Sequence, residues 1–329
     1  MYLYGTKDWE KVSAHCSESA QSPINIETSK LKKDSNLKGL SFTFDNKDGT
    51  VSGKLINNGH APTLAIDKAK GTASLTGGPL GDNEYKLQQL HFHFGCKGSK
   101  GGSEHTVNGK AYSGELHLVT YNTKYSDFGN AASKDDGLAV IGVFFQIRRK
   151  RGSRQFSSEL KNIRKPGNEV AVPELNLLKL VPQLRDLSRT SFYLYKGSLT
   201  TPPCYQSVNW IVLKKPIAVS RKEIKEMNAL RNPEKHSMCG NFRPTQPLNQ
   251  RTVPINGIRG FSRETVVEVT TNIESQEFRR RQNAVIGFEE NPRGSSTDNL
   301  ECLFSMCHGW LGPVFTLKEF KMKWRKIVR

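Results

Sequence analysis

Histidines alternate with apolar residues along two short segments, and this pattern constrains the fold more than any other feature of the sequence. The first segment, Gln89–Phe94, reads Gln-Leu-His-Phe-His-Phe, and the second, Glu115–Tyr121, reads Glu-Leu-His-Leu-Val-Thr-Tyr. Side chains at i and i+2 share one face of a β-strand, so each segment predicts a strand with one histidine-bearing face and one apolar face. The apolar faces need a hydrophobic core, and we expect both strands in one sheet.

Two such strands in one sheet would direct His91, His93 and His117 to a single point. Three imidazoles on rigid strands, with no nearby fourth ligand, are typical of a catalytic zinc site that keeps one position open for water. Gln89 and Glu115 each precede a histidine by two residues, where they can accept its second ring N–H and fix its tautomer. A lone strand histidine is more often a core or surface residue, but a merely histidine-rich amphipathic sheet does not explain this combination.

The length and hydropathy limit the class of protein. The chain has 329 residues and a mean hydropathy of −0.57, which allows one large domain with an appendage. It contains no uninterrupted apolar run of about 18 residues, so we predict no membrane span. Its N-terminus lacks the apolar segment of a signal peptide, so the protein is either cytoplasmic or has lost a leader.

The charge is strongly basic, with a formal net charge of +18 and a pI near 9.6. Such a surface attracts nucleic acid, anionic lipid or acidic matrix polymers. The sequence carries no recognised nucleic-acid-binding motif, and we predict no nucleic-acid partner. We interpret the densest basic run, residues 148–151 with Arg154, as a solvated loop. For the basic surface as a whole, an acidic extracellular matrix molecule is the partner that we consider.

Period-two alternation broken by Asn, Asp and Gly recurs along the chain and predicts many strands. Residues 172–181 and 220–228 have a helical pattern, the second with Ser220 as its N-cap. We therefore expect a mainly β (α+β) fold, with a large, mostly antiparallel twisted central sheet and a few peripheral helices. The predicted strands are residues 40–44, 51–56, 73–75, 85–94, 114–121, 138–147 and 208–213.

Several short motifs occur in the order in which alpha-class carbonic anhydrases carry them, and over residues 1–258 the chain resembles that family, its secreted members in particular. The resemblance implies reversible hydration of carbon dioxide to bicarbonate and a proton, by a hydroxide that zinc generates at the three histidines. We expect a monomer acting on this small-molecule substrate. The motifs are Tyr4-Gly5, Gln21–Ile26, Asn57–His60, the two histidine strands, Asp136–Val140, Gly197–Pro203 and Asn241–Pro247.

The resemblance also implies roles for residues around the zinc. Thr200 and Glu104 resemble the pair that orients the hydroxide, because a threonine that donates its proton to a carboxylate has only lone pairs left to offer. His60 resembles the proton shuttle, which at its ordinary pKa of about 6.5 can take up and release protons near neutral pH. Tyr4 and Asn58 resemble residues that hold ordered waters between zinc and shuttle.

Further implied positions surround these residues. The Asn241 carbonyl resembles the partner of His93, as Gln89 and Glu115 resemble the partners of the other two ligands, whereas His105 resembles a buried structural histidine. Phe94 stands where the family usually has Trp, which should alter packing without removing a ligand. The substrate pocket implied by the resemblance is formed by Val119, Val140, Leu199, Thr200, Thr201 and Trp210.

The cysteines bear on the compartment. Cys16 and Cys204 match the two positions of a disulfide in extracellular carbonic anhydrases, with two buried free thiols as the alternative. A disulfide implies an oxidising compartment, so we predict a secreted protein whose signal sequence is absent from this chain. Cys96 and Cys239 are unusual for the family, and a second disulfide between them is the alternative to two free thiols.

Residues 259–329 match no part of the family, and we divide the chain into a catalytic domain, residues 1–258, and a basic C-terminal extension. We interpret the extension as a poorly ordered tail, with a second folded unit as the alternative. Cys302, Cys307 and His308 offer too few ligands to predict a second metal site.

Two functions compete at this point. The first is a secreted zinc enzyme that serves extracellular acid–base balance or supplies carbonate for mineral formation, with ester hydrolysis as a side activity. The alternative is a carbonic-anhydrase-like extracellular matrix or binding protein with weak or no turnover. Silent relatives typically lose a zinc histidine, and all three are present here, which favours the enzyme.

Overall fold

The computed structural model describes residues 8–34, 37, 39–148, 156 and 158–256. Tyr4, most of the basic run and the extension from residue 259 lie outside the described residues, so the interpretations made of them remain predictions. The strands are β1 (Asn25–Ile26), β2 (Lys32–Asp34), β3 (Ser41–Phe44), β4 (Thr50–Asn57), β5 (Pro62–Ile66), β6 (Ala73–Thr76), β7 (Tyr85–Phe94), β8 (Thr106–Val107), β9 (Lys110–Ala111), β10 (Gly114–Asn122), β11 (Leu138–Arg148), β12 (Glu169–Asn176), β13 (Phe192–Gly197), β14 (Val208–Ser220) and β15 (Pro254–Asn256).

Short helices connect these strands, and none in the described segments has the length and apolar character needed to cross a membrane. The α-helices are α1 (Trp9–Val12), α2 (Phe128–Ala131), α3 (Glu159–Asn162), α4 (Leu177–Leu180) and α5 (Arg221–Asn228). The 3₁₀ helices are Ala14–Ser17, Thr28–Lys30, Lys68–Lys70, Gly78–Leu80, Pro182–Arg185 and Leu187–Arg189.

Among the described residues, twelve strands form one sheet in the order β12-β4-β5-β7-β10-β11-β14-β13-β15-β2, with β6 paired to β7 and β3 paired to β6. Most neighbouring strands are antiparallel, but β11 with β14 and β15 with β2 are parallel, so the sheet is mixed. β11 opens with eight buried residues from Leu138 to Phe145, as expected for a strand covered on both faces. The mainly β prediction is confirmed.

The predicted helix over residues 172–181 is wrong for its first half. Residues 169–176 form β12, which pairs antiparallel with β4, and only Leu177–Leu180 are helical. Pairing with β4 explains the difference, and Pro173 is tolerated in β12 because β12 is an edge strand. The second predicted helix is confirmed as α5, where the Ser220 hydroxyl accepts the Glu223 N–H at 3.2 Å in a capping box.

Hydrophobic clusters cover both faces of the sheet. Leu90, Phe92 and Phe94 of β7 belong to one cluster together with Leu116 and Leu118 of β10, which confirms the predicted apolar faces. A second cluster contains Val119, Val140 and Trp210, whose side chains also line the histidine cavity described below. The histidine-bearing faces of β7 and β10 therefore adjoin this second cluster.

Candidate metal centre

The pairing of β7 with β10 brings the three predicted histidines together. His117 lies directly opposite His91, and Glu115 lies opposite His93. The imidazole centroids are 5.0 Å apart for His91 and His93, 5.1 Å for His91 and His117, and 4.6 Å for His93 and His117. One nitrogen from each ring lies within 4.8 Å of the other two.

Hydrogen bonds fix which nitrogen of two rings faces the centre. The His93 Nδ1–H donates to the carbonyl oxygen of Asn241 at 2.6 Å, and the His117 Nε2–H donates to Glu115 Oε1 at 2.9 Å. His93 Nε2 and His117 Nδ1 therefore carry no proton, and each has a lone pair available to a metal. His117 Nδ1 is 3.2 Å from His91 Nε2, close to the spacing of about 3.3 Å expected for two nitrogens bound tetrahedrally to one zinc ion at 2.0–2.1 Å.

A buried, unpartnered atom provides the test of whether a metal fits. His93 Nε2 is buried and accepts no hydrogen bond from any described residue, an arrangement that costs free energy unless something binds the lone pair. Burial lowers the pKa of His91 well below its ordinary value and also lowers that of His93, which keeps both imidazoles in the neutral form that binds metal. His91 Nε2, His93 Nε2 and His117 Nδ1 therefore fit zinc.

Glu115 is the fully buried carboxylate that organises this centre. Its Oε1 accepts hydrogen bonds from His117 Nε2 and from His105 Nδ1 at 2.7 Å, and its Oε2 accepts the backbone N–H of His105 at 2.9 Å. Burial alone would raise the pKa of this carboxyl, but the charges and hydrogen bonds of the two histidines hold it well below its ordinary value. Gly142 on β11 leaves the necessary room, since a Cβ there would lie 2.9 Å from Glu115 Oε1.

His105 belongs to the framework around the metal centre, as expected for a structural histidine. Its Nε2 lies 2.6 Å from the hydroxyl of Tyr195, which in turn lies 2.9 Å from Ser22 Oγ. Because both nitrogens of His105 have partners among the described side chains, neither is available to the metal.

Gln89 lies on the predicted face of β7, but it does not make the predicted hydrogen bond to His91. No hydrogen bond joins the described side chains of Gln89 and His91, and Gln89 instead lines the cavity above the histidines. Gln89 lies opposite Val119, next to the point where the pairing of β7 and β10 shifts register. Period-two alternation therefore placed Gln89 on the correct face but did not determine its hydrogen-bond partner.

Glu104 and Thr200 are both buried, but the structure does not join them by a hydrogen bond. Glu104 Oε1 accepts the backbone N–H of Arg243 at 2.9 Å. Its Oε2 has no hydrogen-bond partner among the described residues and lies 3.5 Å from His93 Nε2. The predicted hydrogen bond from Thr200 to Glu104 is therefore not made in this structure, although Glu104 Oε2 has no other hydrogen-bond partner among the described residues.

The Gln21–Pro23 motif anchors the loop that carries Thr200. Ser22 and Ser198 exchange hydrogen bonds, with the Ser22 N–H donating to Ser198 Oγ at 3.0 Å and the Ser198 N–H donating to Ser22 Oγ at 2.9 Å. The end of the same loop is held covalently, because the structure contains the predicted disulfide between Cys16 and Cys204.

A cavity of about 100 Å³ opens above the histidines. Ala61, Thr63 and Phe128 of α2 also line it, and sequence analysis assigned none of them to the pocket. Phe128 follows the helix cap Asp127 in a polar segment, and nothing in that local pattern indicates that its side chain lines a cavity. The predicted residues that line the cavity are Asn58, His60, Gln89, Val119, Val140, Leu199, Thr200, Thr201 and Trp210.

His60 lines the same cavity, but its surroundings differ from the expectation. Burial is the main cause that lowers the pKa of His60 to about 4, whereas the prediction took the ordinary value. Asn58 shapes the loop beneath it, because Asn58 Oδ1 accepts the backbone N–H groups of His60 at 3.0 Å and Ala61 at 2.8 Å. Tyr4, the second predicted water-holding residue, lies outside the described residues.

The structure also contains a disulfide between Cys96 and Cys239, at the margin of the metal centre. It joins the end of β7 to the loop that ends in Asn241, two residues beyond Cys239. Asn241 Oδ1 accepts the Phe94 N–H at 2.9 Å, and its Nδ2 donates to the His60 carbonyl at 2.8 Å. The disulfide thus ties down the segment whose carbonyl orients His93.

Comparison with known proteins gives a consistent result. The model of the eukaryotic-type carbonic anhydrase family matches residues 4–257. The chain is 38% identical over 255 residues to carbonic anhydrase 7 from Homo sapiens, covering 76% of this chain and 93% of the relative. It is 34% identical over 254 residues to carbonic anhydrase 3 from Homo sapiens and 35% identical over 254 residues to carbonic anhydrase 3 from Equus caballus, each covering 76% of this chain and 94% of the relative. With its histidine centre, the chain therefore belongs to the eukaryotic-type, alpha-class carbonic anhydrases, the zinc enzymes that act as carbonate dehydratases.

Proposed function

We propose that this chain is an extracellular zinc enzyme that hydrates carbon dioxide reversibly to bicarbonate and a proton. The observation that carries the proposal is the convergence of His91 Nε2, His93 Nε2 and His117 Nδ1, with the His93 lone pair buried and unpartnered. Bound zinc supplies an acidic water as the nucleophile, and the pKa of about 7 for that water is known from carbonic anhydrases in general, not from this chain.

The surrounding residues hold the ligands in their metal-binding form. Glu115 accepts the Nε2 proton of His117, and the Asn241 carbonyl accepts the Nδ1 proton of His93, so the opposite nitrogens stay unprotonated. Glu104 keeps Oε2 free, which gives the Thr200 hydroxyl an acceptor for its proton. Thr200 would then offer only lone pairs, and so would orient an attacking oxygen by accepting that oxygen's proton.

The cavity wall suits an apolar gas beside a polar centre. Val119, Val140, Leu199 and Trp210 line the cavity and present no charge to the substrate. The Trp210 indole N–H is already used, since it donates to the Ser198 carbonyl at 3.1 Å. Carbon dioxide, which has no charge and no hydrogen-bond donor, can rest there beside the histidines. His60 at the cavity wall is the residue placed to receive the proton.

The proposed extracellular setting rests on covalent chemistry. The two disulfides, Cys16–Cys204 and Cys96–Cys239, suit an oxidising compartment, because cytosolic thiols are kept reduced. The net charge of +18 suits an acidic matrix partner. We propose that a monomer in this setting serves acid–base balance or supplies carbonate for mineral formation. Detection of the chain by mass spectrometry in extracellular and cell-lysate fractions of its source tissue tests the location, and recovery only from lysate would contradict it.

A matrix or binding protein with weak turnover is the second candidate, and two observations favour it. The pKa of His60 is lowered to about 4, which makes it a weak proton acceptor at neutral pH. Glu104 also makes no bond to Thr200 in this structure. Both features would slow turnover without preventing zinc from binding.

Stopped-flow hydration of carbon dioxide distinguishes the two candidates. The purified full chain and the His117→Ala variant are compared, with the zinc content of each measured on the same samples. The enzyme proposal expects about one zinc per chain and rapid turnover in the wild type, and loss of both in the variant. A wild type that holds zinc but reacts no faster than buffer would support the binding protein instead.

A further inference from the structure

A basic groove of about 810 Å³ lies beside the loop that follows β7, and it shares no lining residue with the histidine cavity. We call this surface the basic groove. No aspartate or glutamate lines it, and in the described part of the chain its cations form no ion pair with a carboxylate. All five of these cationic side chains are exposed: Lys97, Lys100, Arg148, Arg221 and Lys225.

Some cations elsewhere on the surface do form ion pairs. Lys54 pairs with Glu169 at 2.7 Å, and Arg164 pairs with Glu226 at 2.8 Å. Uncompensated like charges around one concave surface repel one another and raise the local positive potential. That potential attracts an anionic partner, and binding of the partner removes the repulsion.

The loop that carries two of the lysines is fixed in place. Cys96, directly before Lys97, is joined to Cys239 by a disulfide. Within the loop, the Ser99 N–H donates to the Cys96 carbonyl at 3.0 Å, and the Ser99 hydroxyl donates to the Gly101 carbonyl at 2.9 Å. The backbone at Lys97 and Lys100 is therefore fixed before a partner arrives, which reduces the backbone entropy lost on binding.

The groove also has an aliphatic part, which limits the chemistry of the partner. Ile147 is 40% exposed, one of two large hydrophobic side chains in the described residues that are exposed, and Ile224 beside it is half-buried. The ring of Tyr112 is stacked on Phe144 with centroids 4.2 Å apart, so that face is not free to stack on a nucleic-acid base. A sulfated polysaccharide would match the cations but has no aliphatic side chain for Ile147.

We propose that the basic groove binds an acidic peptide segment of an extracellular partner, with carboxylates on the lysines and arginines and an aliphatic side chain against Ile147. A polypeptide supplies both kinds of group within a few residues. The inference gives a site to the acidic partner proposed above and rests on that part of the proposed function. It does not depend on zinc or on turnover.

Fluorescence anisotropy with the full-length chain tests the proposal. The probes are a labelled peptide of aspartates interrupted by leucines, an all-aspartate peptide of equal charge, and a sulfated oligosaccharide, each at about 0.05 M and 0.3 M salt. The groove variant is Lys97→Ala/Lys100→Ala/Lys225→Ala. The matched control, Lys134→Ala/Lys214→Ala/Lys215→Ala, removes the same charge from exposed lysines outside the groove.

We expect the leucine-containing peptide to bind the wild type, the groove variant to weaken that binding about tenfold, and the control to change it less than about twofold at the higher salt concentration. Ile147→Ser should abolish the preference for the leucine-containing peptide. Equal weakening by both triple variants, no peptide binding, or tighter binding of the sulfated oligosaccharide would each overturn the proposal. Carbon dioxide hydration by the same samples should stay unchanged, so failure of this inference and failure of the enzyme are separately visible.

Discussion

Replacing Glu115 by glutamine changes a single atom and tests how the metal centre is held. The carboxylate accepts three hydrogen bonds, from His105 Nδ1, His117 Nε2 and the His105 backbone N–H. If the amide oxygen replaces Oε1, the amide NH₂ faces the His105 backbone N–H, and a buried donor is left unpaired at a cost of about 1–3 kcal/mol. If the amide is reversed, both imidazoles must move their protons, and the His117 proton would then sit on Nδ1, the atom that binds zinc.

We therefore expect Glu115→Gln to lower the free energy of unfolding of the metal-free protein by about 1–3 kcal/mol. Zinc affinity should fall about 10–100-fold, which is the range known for partners of metal-binding histidines, with carbonic anhydrase as the reference case, and equals about 1.4–2.7 kcal/mol. Chelator competition measures the affinity, and guanidinium denaturation measures the stability.

The control is Glu226→Gln, which alters another buried carboxylate at a distance from the histidines, where it pairs with Arg164 at 2.8 Å. This control should lower stability but leave zinc affinity unchanged. The reasoning is refuted if Glu115→Gln binds zinc within about twofold of the wild type, or if both variants weaken binding equally.

Three further predictions follow from the surroundings of the centre. The double variant Cys96→Ser/Cys239→Ser removes a disulfide between residues 143 apart, so the free energy of unfolding should fall by up to about 5 kcal/mol. Zinc should also pass to a chelator several-fold faster. Unchanged zinc release would show that the disulfide does not hold the ligands. Because the pKa of His60 is about 4, proton transfer to His60 from a water of pKa about 7 is uphill. The kcat of the wild type should therefore rise with added imidazole buffer, and His60→Ala should lower kcat less than about tenfold. A wild-type kcat that does not depend on buffer, together with a larger loss in His60→Ala, would contradict this prediction. The pKa values of His91 and His93 are lowered in the fold, so the unfolded chain binds more protons than the folded chain below about pH 6.5. The stability of the metal-free protein should therefore be full above that pH and fall below it by up to about 1.4 kcal/mol per pH unit for each histidine. A flat stability profile between about pH 7.5 and 5.5, measured by guanidinium denaturation, would be inconsistent with buried neutral imidazoles.

Local periodicity predicted the centre because the centre is built from two strands. Alternation alone placed His91 and His93 on the face opposite Phe92, and pairing of β7 with β10 then added His117. The mainly β class followed from the same signal repeated along the chain. Features that depend on one residue and its neighbours in a strand or cap, such as Ser220, were predicted for the same reason.

Features set by contacts distant in sequence were harder to predict. The link between Cys96 and Cys239 depends on a 143-residue separation that no local pattern encodes. The lowered pKa of His60 results mainly from burial, which is a tertiary effect. The helix predicted from residue 172 was wrong because that segment pairs with strand β4 instead.

The most direct test of the account is the identity of the atoms that bind zinc in the full-length chain. Zinc-edge X-ray absorption on the protein loaded with one equivalent, together with the same spectrum of His117→Ala, reports the ligand type and distance. The account predicts three nitrogen ligands of imidazole character and one oxygen, all at about 2.0–2.1 Å, with an imidazole lost in the variant. A sulfur ligand at about 2.3 Å, or a spectrum unchanged by His117→Ala, would contradict the assignment of His91, His93 and His117 as the metal centre.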